Sequence, residues 1–167
     1  ASVLALLGQN PSSIHLSLLF VNLATAFLLY RLGSKWWNSS AGIVAGVSYS
    51  ILTLSPALQG VWANAEHFVL IFVLAGILLL KGAQGQRLFY SGCLLGCALL
   101  IKQHALFFCL FGGVYLGARI ITRRESLKNL ILNMGVFVAG GATPMMFVVL
   151  LYWVTGNFSD FLFCTVQ

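Results

Sequence analysis

LFYSGCLLGCALLIKQHALFFCLFGGVYLGARII, residues 88–121, is the stretch on which the fold turns. A bilayer crossing takes about 20 mostly apolar residues, roughly 17 to 25. This block is too long for one crossing, and Lys102, Gln103 and His104 interrupt it in the middle. The reading is a tight helical hairpin with halves Leu88 to Ile101 and Ala105 to Ile121. Working outward, the same criterion marks Ile14 to Tyr30, closed by Arg31 and Lys35 with Trp36 and Trp37 as interfacial aromatics, then Ala41 to Leu58. A third segment opens at Asn64 or Ala65, runs to Leu80 and stops at the polar KGAQGQR. The last covers Leu127 to Val154, where Pro144 is expected to kink it. The expected fold class is all-α: a polytopic transmembrane helical bundle of about six spans.

Loop charge supports this parsing, because Lys and Arg concentrate on the cytoplasmic side of membrane proteins. On alternate loops, Arg31, Lys35, Lys81, Arg87, Arg119, Arg123, Arg124 and Lys128 share one side, and the other side holds only Lys102. One unbroken helix through residue 102 would move the loop after Arg119 to the outside and erase that asymmetry. With six spans both ends of the chain lie outside.

Composition agrees. The 167 residues are 60% hydrophobic and 7% charged, with a mean hydropathy of +0.97. Water-soluble domains carry about 25% charged residues, so the surface is expected to face lipid. Aromatics at 13%, three Pro and four Cys exclude disorder, a collagen-like chain and a disulfide scaffold. The net charge of +6 lies in short clusters between apolar runs, the pattern of membrane anchors and not of a nucleic-acid surface. There is no P-loop, GxGxxG in a strand-to-helix setting, HExxH or nucleophile elbow, so soluble nucleotide chemistry has no support.

Two outward-side groups draw attention. Glu66, in WANAEHF, has two open readings. With Asn64 as N-cap, a carboxylate in a first helical turn is favoured by the helix dipole. A carboxylate at the outer boundary beside His67 is equally placed for acid or base work, metal binding or recognition of sugar hydroxyls. Lys102 follows an apolar half-hairpin about 21 Å long, shorter than the ~30 Å hydrocarbon core. It either snorkels to the interface or meets a lipid phosphate, with Gln103 and His104 as neighbouring donors. Cys93 and Cys97 share a helix face but lie in GCLLGCALL with no His or acid beside them, and are read as small hydrophobes, like Cys109 and Cys164. GIVAG, GCLLG and GVYLG are read as small-residue packing motifs. His15 and Asn22 are read as interhelical hydrogen-bond partners and Asp160 as a loop or cap acid. Asn38 and Asn157 open N-x-S sequons, the first on the cytoplasmic side.

In order, PSSIHLSLL, YRLGSKWWNSSAGIVAGVSYSILTLSP, WANAEHFVLIFVLAGILLLKGA and SGCLLGCALLIKQHALFF resemble the dolichyl-phosphate-mannose-protein mannosyltransferase-like family, glycosyltransferase family 39 of the GT-C superfamily. The resemblance covers nearly the whole chain. Its more specific parts are the acid opening the third span and the G-x-x-x-G-x-A-x-L-x-K-Q run ending at Gln103. It implies a multi-pass integral protein of a bacterial inner, plasma or equivalent membrane. Such a protein moves a sugar from a polyprenyl-phosphate donor to a lipid, glycan or protein acceptor on the extracytoplasmic side. It implies Lys102 near the donor phosphate and Glu66 near the active-site cavity, and Gln103, His104 and His67 are further substrate-binding candidates beside them. No cofactor is required by the reading, and a divalent metal is compatible with it.

The resemblance also places the family's principal catalytic acid on an outside loop after an initial span, ahead of Ala1. The expectation is a fragment of a single transmembrane domain, residues 1–167, inactive by itself, with that span and a carboxy-terminal part beyond it. A transporter or lipid flippase and a noncatalytic membrane subunit are the alternatives. No internal repeat of the kind common in transporters is visible.

Overall fold

The computed structural model describes residues 11–55, 65–123 and 126–156, the side chains of residues 11–15, 120 and 123 aside. Every regular element among them is helical: α1 (Pro11–Trp36), α2 (Ser39–Thr53), α3 (Ala65–Leu80), α4 (Gln86–Ile101), a 3-10 turn (Gln103–Ala105), α5 (Leu106–Arg123) and α6 (Leu127–Val154). The expected Asn64 cap, Asp160, Asn157, Cys164 and the His15 side chain lie outside the described residues.

Local chemistry sets the breaks. The Asn38 side chain accepts from the Ala41 amide at 2.8 Å, capping α2 directly after α1 stops at Trp36. Gly82 and Gly85 adopt φ of 73° and 51°, left-handed backbone that turns the chain between α3 and α4. Lys102 is extended, at φ −152° and ψ 129°, so the apolar block breaks where the three polar residues interrupt it. Ser126 accepts from the Asn129 amide at 3.3 Å and opens α6.

Neighbouring contacts give each helix a direction. Gly33 meets Gly42, and the Tyr49 hydroxyl donates to Asn22 Oδ1 at 3.1 Å, so α1 and α2 are antiparallel and Asn22 makes the interhelical bond expected of it. The buried Ser91 hydroxyl donates to the Gly76 carbonyl at 2.8 Å between antiparallel α3 and α4. Cys109 Sγ lies 3.8 Å from the Leu95 carbonyl, closing the α4–α5 hairpin. α4 and α6 run parallel in the closest crossing of the bundle. A Cβ on Gly92 would sit 2.1 Å from the Phe137 carbonyl oxygen, a distance no side chain tolerates. GIVAG and GCLLG thus lie at helix crossings. GVYLG does not: an added Cβ at Gly113 or Gly117 meets nothing within 4 Å.

The core, with Val73, Leu80, Leu88, Leu95, Ala98, Leu116 and Phe137, gathers side chains of α3, α4, α5 and α6. The outward faces are apolar too: Phe27, Ile43, Phe107, Val114, Ile121, Leu132, Phe147 and Val154 are all exposed. Yet the expectation of six spans needs correction. Among the described residues, two helices, Leu16–Trp36 of α1 and all of α6, are long and apolar enough to cross a membrane. Ser39–Thr53, Ala65–Leu80 and Gln86–Ile101 have 15, 16 and 16 residues, a rise of roughly 22–24 Å against a ~30 Å core. The second segment falls short because α2 ends at Thr53, not Leu58.

Candidate functional site

Alternating helix directions sort the charges onto two ends. At one end, α3 begins and α4 stops. Glu66 is in the first turn of α3, where a carboxylate is favoured by the unpaired amides of the helix start. Lys102 leaves the end of α4, and its ammonium donates to Glu66 Oε1 in an ion pair. The lysine side chain is 37% exposed and the carboxylate 63%, so the pair lies open at the surface of the bundle.

His104, exposed on the 3-10 turn, and His67 are both within electrostatic range of the Glu66 carboxylate. His67 turns inward: it is 9% exposed, and its buried Nδ1 has no hydrogen-bond partner. Gln103 is exposed on the same turn. Glu66 and Lys102 are therefore in contact, the two histidines flank them, and Gln103 shares the turn. Lys102 was expected either to snorkel to the interface or to meet a lipid phosphate; the structure pairs it with Glu66. Both residues were assigned to the outer side by the loop-charge argument, which was the available signal for the pairing.

A metal has a poor fit at this end. Glu66 is engaged by Lys102, and among the described residues no three His, Cys, Asp or Glu side chains gather to hold an ion.

A groove of about 600 Å³ lies between α4, α5 and α6, lined by Gly96, Leu99, Leu110, Phe137 and Met145 among others. Leu99 is three residues from Lys102, a rise of about 4.5 Å along the helix. Lys102 thus follows directly on a helix, α4, that walls an almost wholly apolar groove.

The opposite end gathers cations. The Lys35 ammonium donates to the Leu78 carbonyl at 2.7 Å, in the last turn of α3, and Lys81 donates to the Lys35 carbonyl. Arg119, 2% exposed, donates to the Ala83 carbonyl at 2.9 Å. Lys81 also stands 5.7 Å above the Trp36 ring, which packs on Phe111 and Tyr115 at 6.2 and 5.3 Å. Trp36 was expected as an interfacial aromatic. It joins an α1–α5 cluster instead, with Nε1 buried and unpartnered, whereas its neighbour Trp37 is broadly exposed at 75%.

No protein-family model, no curated protein and no solved structure matches this chain.

Proposed function

We propose that this chain forms part of a multi-pass membrane glycosyltransferase of the GT-C type, with the Glu66–Lys102 end facing the extracytoplasmic side. It would take sugar from a polyprenyl-phosphate donor. The observation that carries the reading is an exposed cation–carboxylate pair at the end of α4, the helix that also walls an apolar groove. A polyprenyl phosphate has the same two parts, one anionic head and one long apolar tail. The motif order resembling glycosyltransferase family 39 points the same way. Six helices of alternating direction, with the described basic side chains other than Lys102 at one end, are compatible with six crossings. The three short helices require local bilayer thinning or flanking residues that reach the interface.

In the transfer, the bond from the sugar's anomeric carbon to the phosphate oxygen breaks, and polyprenyl phosphate leaves with the electron pair. The acceptor oxygen bonds to that carbon, and its proton passes to a carboxylate. Lys102 has three N–H donors, so it holds a phosphate oxygen without releasing Glu66 and stabilises the charge developing on the leaving group. Glu66 fixes Lys102 and stands within reach of an acceptor hydroxyl. The family resemblance implies that the principal base is a further carboxylate on an outside loop.

The test is sugar transfer from a labelled polyprenyl-phosphate-mannose donor by the full-length protein. Lys102→Ala raises the donor KM by about tenfold or more, and Glu66→Gln lowers kcat with insertion intact. Unchanged values in both variants favour the second reading, a noncatalytic membrane subunit. That reading draws on one observation: the two side chains already satisfy each other, as a staple between α3 and the hairpin would.

A further inference from the structure

We propose that the basic end of the bundle holds one anionic phospholipid, its phosphate among Lys35, Lys81 and Arg87 and an acyl chain in the cleft beside Trp36. The proposal rests on the membrane placement given above but not on sugar transfer. Its first support is clustered positive charge that no acid among the described residues offsets. Arg87, Lys81 and Arg31 all act electrostatically on Lys35. Of the chain's three acids, Glu66 is at the other end, and Glu125 and Asp160 lie outside the described residues. The carbonyls that receive Lys35 and Lys81 are neutral dipoles, and each ammonium keeps donors beyond the one used.

The second support is an apolar cleft of about 350 Å³ against this cluster, walled by Leu32, Trp36 and Trp37 of α1, Ile77 of α3, and Phe107 and Phe111 of α5. Lys81 stands over the Trp36 ring that forms one wall, so cation and cleft adjoin directly. A cation cluster continuous with an apolar slot fits a phosphate on a diacyl chain. A nucleic acid or an acidic peptide would leave the slot empty.

The experiment uses the chain with Trp62→Phe and Trp153→Phe, so that Trp36 and Trp37 report, reconstituted in phosphatidylcholine vesicles. Quenching by acyl-brominated phosphatidylglycerol is compared with quenching by acyl-brominated phosphatidylcholine. The expected result is a relative association about fivefold in favour of the anionic lipid, on the scale of one juxtamembrane basic residue. Lys35→Gln, Lys81→Gln and Arg87→Gln together bring it to about one, whereas Lys35→Arg with Lys81→Arg keeps it. Should the triple variant lose its helical circular dichroism, Arg87→Gln alone must still reduce the preference. A wild-type ratio of one, or a preference unmoved by Arg87→Gln, overturns the proposal. Loss of the preference to inorganic phosphate at matched ionic strength assigns the cluster to a free anion and also overturns it. Quenching by neither lipid overturns the membrane placement itself, while sugar-transfer results at Lys102 and Glu66 leave the proposal unaffected.

Discussion

The two ends of α3 meet lysines in opposite ways. At its start, Glu66 receives Lys102 in an exposed ion pair. At its finish, the Leu78 carbonyl receives Lys35, and the neighbouring lysine and arginines have carbonyls and rings for company. The helix dipole accounts for both arrangements: its positive end favours the carboxylate and its negative end the ammonium. The difference lies in residual charge. The pair at the start is nearly neutral and leaves Lys102 with donors for one incoming anion. The finish retains several positive charges that no described acid offsets. One lysine in a neutralised pair suits a specific ligand, whereas a cluster suits an anionic surface.

The comparison depends on the frame that separates the ends, and Gly92 is among its tightest points. Gly92→Val pushes α4 away from the Phe137 backbone and costs about 3 kcal/mol, read as a lower unfolding temperature in detergent. Next comes Arg119→Ala, which leaves the Ala83 carbonyl without its buried guanidinium and costs about 2 kcal/mol in the same measurement. Lys35→Ala removes a cation from a helix finish and costs only about 0.5 kcal/mol, an effect that weakens further in high salt. Smallest is Glu66→Gln, expected to leave the unfolding temperature unchanged because the pair is exposed. A large loss there would make the pair a structural staple and erase the contrast between the ends.

Much of the helix plan was legible. Leu127 to Val154 is α6, and the break at Lys102 follows from length and charge in one apolar block. The short helices were not legible as short. Apolar filling runs past Thr53, and only cap and turn geometry shows that α2 ends there. GVYLG matched a packing pattern but faces open space, because spacing alone carries no information about which helix lies opposite. At the candidate site Glu66 and Lys102 were each identified, but their contact spans 36 positions in sequence, and one chain without a fold has no distance between them. The burial of His67 and the stacking of Trp36 on α5 depend on tertiary packing in the same way.

The most direct test of the central claim is equilibrium binding of a polyprenyl-phosphate-mannose donor to the full-length protein, measured for the wild type, Lys102→Ala and Lys35→Ala side by side. The account predicts affinity reduced about tenfold or more at Lys102 and retained at Lys35. Equal affinity in the wild type and Lys102→Ala would contradict it, and the Glu66–Lys102 end would then be a structural contact between helices.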